Sequence, residues 1–129
     1  MIVVAIIAIV AAIAIPSLLG ARKAAHEAAA LSALRTVSTA QARYRLRFGT
    51  YAPLATLVAN SVLDDSFADS QRNGYVFAEP GPANAYVWTL AAAPLTLGVT
   101  GDRYFFVDES GVIRNREGAP ATVADSPID

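Results

Sequence analysis

The chain has 129 residues, room for one ordinary domain, and a formal net charge of −1, so no overall charge draws it to nucleic acid or anionic lipid. Hydrophobic residues make up 54% and charged residues 16%, an apolar excess that is concentrated at one end. The sequence contains no cysteine, which excludes disulfide frameworks and thiolate chemistry.

Residues 1–15, MIVVAIIAIVAAIAI, are apolar throughout, and the first charge is Arg22. At ~1.5 Å per residue, 21 helical residues span about 31 Å, close to the hydrocarbon thickness of a bilayer. A helix apolar on every side is buried on every side, in lipid or in protein. Met1, Ile2, Val3, Val4, Ile6, Ile7, Ile9, Val10, Ile13 and Ile15 are the expected packing positions. Ala5, Ala8, Ala11, Ala12 and Ala14 are small positions where neighbouring helices can approach closely. Three readings compete: a signal peptide, a plain membrane anchor, and an assembly helix that packs with copies of itself. The apolar run continues into a long helical pattern rather than a loop, which argues against the first. Hydropathy does not separate the other two. Proline removes a backbone donor and clashes with the carbonyl four residues back, and glycine has weak helix propensity. Pro16 and Gly20 therefore mark the expected kink or local unwinding.

From Ala21 to Phe48 there is neither Gly nor Pro, and the pattern turns amphipathic with helical period. Leu34, Val37, Tyr44 and Phe48 share one stripe, with Leu31 beside it. Ser32, Thr36, Thr39, Arg43 and Arg47 share another. Gly49 is the expected stop. A helix of ~48 residues measures about 70 Å, far more than a small domain covers, so only its second half can pack on that domain. The chain divides accordingly into 1–24, the hydrophobic helix half; 25–48, the amphipathic half; 49–116, a small globular part; and 117–129, a tail. His26, the single histidine, lies beside Arg22, Lys23 and Glu27 and reads as a solvated helix residue. Tyr44, Phe48 and Tyr51 read as core.

Residues 53–64 suit a short helix with Pro53 in its first turn, and 65–73 read as loop. The runs 75–77, 86–90, 103–107 and 112–114 are strand-like and are separated by turn-rich segments at 80–84 and 108–111. This predicts an α+β fold, with an antiparallel sheet of three or four strands packed on the stripe Leu34, Val37, Tyr44 and Phe48. The tail, with small residues and little bulk, is expected to be weakly ordered. Charge is segregated along the chain. Residues 22–47 hold six bases against Glu27, and residues 48–129 hold ten acids against four arginines. These are either solvated faces or surfaces that attract the opposite region of a neighbour.

The run MIVVAIIAIVAAIAIPSLLGAR, with Pro16 at the family's proline position, resembles the N-terminal helix of type IV pilins and type II secretion pseudopilins. The long helix followed by a small antiparallel sheet is similar to that family's architecture as well. Beyond Phe48 no named subgroup is matched, and the YFFVDESGVIR hairpin is weakly specific. In the family, a segment similar to Phe-Thr-Leu-Ile-Glu-Leu precedes the position of Met1. It carries a glutamate that pairs with a neighbour's N-terminal amine, and a peptidase site adjoins it. The expectation is that the present sequence begins part-way along that helix. The family's cysteine loop and the calcium loop of major secretion pseudopilins have no counterpart in these residues; Asp64, Asp65 and Asp69 read as a solvated loop rather than a cation site.

The resemblance implies a filament subunit. Its partners would be further copies of itself, the bacterial inner membrane before assembly, and the pilus assembly machinery, with the finished polymer at the cell surface. Adhesion, motility, DNA uptake and electron transfer remain open as tasks. A pseudopilin is the runner-up, and a single-pass anchor with a ligand-binding domain is the alternative of a different class. No catalytic residue, metal site, cofactor or specific nucleic acid is expected. Glu79, Asp108 and Glu109 are a thin basis for acid–base chemistry.

Overall fold

The computed structural model describes residues 2–128, the side chains of 14–17 excepted. A single helix, α1 (Ile2–Phe48), takes up more than a third of the chain. Its 47 residues correspond to about 70 Å of rise. It stops where expected: Gly49 adopts φ +78° and its N–H donates to the Arg45 carbonyl at 2.7 Å. That left-handed cap suits glycine because no Cβ opposes it. Arg45 and Arg47 in the last turn complement the negative end of the helix dipole. The helix assignment is continuous through Gly20. The kink expected at Pro16 falls on the side chains outside the described set, as do the packing roles expected of Met1 and Ile15.

The globular part is an antiparallel meander in the order β1 (Gln71–Arg72), β2 (Tyr75–Ala78), β3 (Thr89–Pro94), β4 (Arg103–Asp108) and β5 (Arg114–Glu117). A short helix, α2 (Leu54–Ala59), and a 3-10 turn (Asp65–Ala68) connect α1 to it. The fold is α+β, with five strands where the sequence suggests three or four. The extra strand is the two-residue β1, formed in the stretch read as loop. Two strand boundaries also differ. Residues 86–88 are held out of the ladder because the Asn84 side-chain oxygen accepts the Tyr86 and Val87 N–H groups at 2.8 and 3.0 Å. β3 therefore starts at Thr89 and runs on to Pro94, pairing Leu90 with Val107 and Tyr75 with Pro94. Residues 112–113 lie before β5, and the tail occupies Ile113: Ile128 N–H donates to its carbonyl at 2.9 Å. The tail is thus folded back along β5. A bridge joins Arg114 to Pro127, the Ser126 carbonyl accepts from Asn115 N–H at 3.0 Å, and Ala121 is buried.

The core lies between the second half of α1 and one face of the sheet. Ala30, Ala33, Leu34, Val37 and Ala40 face Leu90, Ala92, Phe105 and Val107 across it. Alternation along β3, where Leu90, Ala92 and Pro94 are buried and the residues between them are half-buried, shows which side the helix covers. Leu34 and Val37 are fully enclosed, and Tyr44 packs on the core edge. Phe48 departs from the expected stripe. It is 47% exposed and leans on the Tyr44 ring, centroids 4.5 Å apart, because the last helical turn runs past the sheet. Tyr51 instead tilts against the buried Trp88. The sequence reading also missed Gln41, a polar residue 1% exposed. Its amide exchanges two hydrogen bonds with the backbone of Ala52, at 2.6 and 3.1 Å.

Tyr75 is the largest of the fully buried side chains among the described residues. Its hydroxyl donates to the Arg103 carbonyl at 2.9 Å, and its ring tilts against Phe105. Gly101 is flat against it: a Cβ there would collide with the Tyr75 hydroxyl and sit 2.7 Å from the ring. A rigid, fully buried ring cannot swing away. Gly101→Ala should therefore destabilise the domain by about 1–3 kcal/mol, as overpacking does. Denaturant unfolding of the full chain in detergent checks this, and an unchanged midpoint would contradict the close approach.

Candidate functional site

The feature that sets this chain apart from a compact domain is the first half of α1. Ile2, Val3, Val4, Ile6, Ile7, Ile9, Val10 and Ile13 are exposed by 55% (Ile6) to 77% (Ile2). Together with Ala5, Ala8 and Ala12 they make every side of the helix apolar, and nothing in the described chain covers them. Burying one such side chain is worth roughly 1.5–3 kcal/mol, so eight leave on the order of 12–24 kcal/mol unrealised in water. That equals or exceeds the whole net stability of a typical domain, about 5–15 kcal/mol. The segment must therefore sit in lipid or against other protein. It is long and apolar enough to span a membrane. Ala5, Ala8 and Ala12, all exposed, fall on one ridge at three- and four-residue spacing. Such small positions let helices approach closely.

Between this segment and the sheet lies a polar collar. Glu27, with its side chain 14% exposed, receives the Asp102 backbone N–H on Oε1 at 3.0 Å. On Oε2 it receives the Arg103 Nε and a second guanidinium nitrogen, each at 3.0 Å. One turn earlier, Lys23 pairs with Asp102 at 3.1 Å, and His26 Nδ1 lies 3.2 Å from the Thr100 carbonyl. The two ion pairs are not equal. Lys23–Asp102 is about a third to a half exposed, a setting in which pairs contribute about 0–1 kcal/mol. Glu27 has a charged partner and a backbone donor in a half-dry setting, where a charge-assisted bond contributes about 1.5–3 kcal/mol. Glu27→Gln should accordingly cost about 1–3 kcal/mol, and Lys23→Ala less than about 1 kcal/mol. Thermal unfolding of the two variants side by side checks the order, and equal losses would contradict it.

His26, read from the sequence as a solvated helix residue, is thus a seam residue, and so is Glu27. A signal was present: Glu27 is the lone acid among six bases in residues 22–47. The collar also bears on Tyr75. Burial, with the Glu27 charge adding to it, pushes the Tyr75 hydroxyl well above the ordinary tyrosine range. A group raised on folding contributes stability that is complete below its unfolded pKa of about 10 and is lost as pH climbs toward its folded value. The domain should lose stability progressively above about pH 10, and Tyr75→Phe should flatten that slope. An equal slope in both proteins would assign the alkaline loss to other groups.

The acids 64–69 act locally. Asp64 caps the 3-10 turn through the Ser66 N–H at 2.7 Å, a bond that holds its carboxyl below the usual range, and Asp69 accepts from Gln71 N–H at 3.0 Å. Among the described residues no three His, Cys, Asp or Glu side chains are grouped to hold a metal ion. Neither a protein-family model nor a curated protein matches the chain.

Proposed function

We propose that this chain is a structural subunit of a type IV pilin-like filament. In this reading the apolar half of α1 waits in the bacterial inner membrane and then packs with copies of itself in the core of a polymer at the cell surface. The observation that carries it is the division of one helix into two environments. Its second half is seated on a sheet by Leu34, Val37 and the Glu27–Arg103 pair, while its first half is apolar on all sides and bare. Moving that half from lipid to a helical core exchanges one apolar medium for another. Association then rests on van der Waals fit at Ala5, Ala8 and Ala12 rather than on water exclusion. Exposed bases on α1 (Arg35, Arg43, Arg47) and exposed acids on the globular part (Asp65, Glu109, Glu117) offer neighbouring subunits complementary charge.

The test is cryo-electron microscopy of material sheared from cells that make this chain. Filaments a few nanometres wide, with a core of packed helices traceable to residues 2–13, are the expected result. Detergent-soluble monomers confined to the membrane fraction would overturn the filament reading in favour of a single-pass anchor.

A further inference from the structure

The connection between β3 and β4 carries three apolar side chains into the open: Leu95, Leu97 and Val99 are exposed by 52%, 48% and 59%. Its backbone, by contrast, bonds inward. Thr96 N–H donates to the Thr100 hydroxyl and Thr100 N–H to the Thr96 carbonyl, both at 3.0 Å. Gly98 N–H donates to the Gly101 carbonyl at 2.9 Å, and Leu95 N–H to the Gly74 carbonyl at 2.8 Å. A loop that turns most of its backbone N–H groups inward and leaves its apolar tips bare suits an apolar–polar boundary better than open water. Its position is also fixed. Thr100 meets His26, and Asp102 meets Lys23 and Glu27, so the loop lies at the end of the sheet nearest the apolar half of α1. The opposite connection, residues 79–88, lies beside the helix's far end, where the Asn84 carbonyl accepts from Tyr51 N–H.

We infer that the 95–99 loop is a lipid-surface contact, resting its three apolar side chains in the interface of the bilayer that α1 spans. The inference depends on the anchor reading of residues 2–21, not on polymerisation. The first charge, Arg22, marks the polar boundary of the span. His26 stands five residues beyond Ala21, about 8 Å along the axis. The headgroup layer is itself roughly 5–8 Å deep on each side. The loop contacting His26 is therefore at the outer edge of the headgroups, and exposed Arg22 lies about 6 Å deeper, where its stem can lie along lipid and its guanidinium can reach phosphate. The 79–88 connection lies at the opposite end of β3, six residues or about 20 Å away.

The chain has no cysteine, so single labels report single sites. Full-length Leu97→Cys, Val99→Cys, Tyr86→Cys and Ile9→Cys proteins, each carrying an environment-sensitive fluorophore, would be reconstituted in phosphatidylcholine–phosphatidylglycerol vesicles with lipid-borne quenchers at shallow or deep positions. Labels at 97 and 99 should be blue-shifted relative to 86 and quenched several-fold more strongly by shallow quenchers, with 9 quenched by deep ones. Quenching at 9, with 97 and 99 behaving like 86, would overturn the loop contact and leave the anchor standing. A blue shift at 97 and 99 without lipid quenching would assign the loop to a protein neighbour and overturn the inference as well. Absence of quenching at 9 would bring down the anchor reading and this inference together.

Discussion

Ile7→Asp should abolish polymer formation and leave the globular part folded. Ile7 is 61% exposed and touches no part of the core; among the described residues the side-chain hydrogen bonds from α1 to the globular part begin at Lys23. A carboxylate there has no effect on the packing of Leu34, Val37 or Phe105. Its cost falls on whatever surrounds the helix. At the centre of an apolar helix in a bilayer an aspartate costs roughly 2.5–3.5 kcal/mol on insertion scales. In a helical polymer the same charge recurs in every copy, and like charges in a low-dielectric core repel as well. The expected readout is loss of sedimentable filaments, with the near-UV signal of buried Trp88 and the membrane fraction retained. Ile7→Leu, which preserves size and apolarity, should polymerise as the parent does. Normal filaments from Ile7→Asp would sink the claim that this segment forms the core.

What could be read from the residues depended on how far apart in sequence the determining contacts lie. The long helix was legible because its signals are local: an apolar run, then 3.6-residue periodicity, then Gly49. The hairpin of β4 and β5 was legible for the same reason, through Asp108–Gly111 and the Tyr104–Val107 run. Register was not, because the Asn84 side chain competes with the ladder for the Tyr86 and Val87 N–H groups, and such competition depends on geometry rather than composition. The tail misled for a related reason. Its composition is small and polar, yet Ile128 and Ser126 find backbone partners on residues 113 and 115, which no local pattern announces. The collar joins residues more than 70 positions apart. Only the lone acid Glu27 hinted at it. The exposed apolar half of α1 was the clearest of all, because fifteen consecutive apolar residues need no partner within the chain to be recognised as needing one.

Gln41→Ala should be the most damaging substitution of a polar residue in the domain. After Phe48 the chain must reverse at once to bring α2 and the sheet back along α1, and the reversal is pinned at Ala52. The Gln41 amide donates to the Ala52 carbonyl at 2.6 Å and accepts its N–H at 3.1 Å, with Gln41 and Ala52 only 1% and 3% exposed. Removing the side chain leaves a donor and an acceptor buried without partners, each costing about 1–3 kcal/mol, and opens a void beside Ala40 and Tyr44. The combined loss is about 2–5 kcal/mol, a large part of the 5–15 kcal/mol available to such a domain. Gln41→Glu separates the hydrogen bonds from the volume. Ionised, the carboxylate still accepts the Ala52 N–H but faces the Ala52 carbonyl with no proton to give. Burial and that carbonyl raise its pKa on folding, so its contribution is present at low pH and is lost as pH rises through the folded value. The glutamate variant should therefore be destabilised at neutral pH and recover toward the parent as the medium is acidified, while the alanine variant should not. An alanine variant within about 0.5 kcal/mol of the parent, the range of ordinary surface changes, would show that the amide does not hold the reversal.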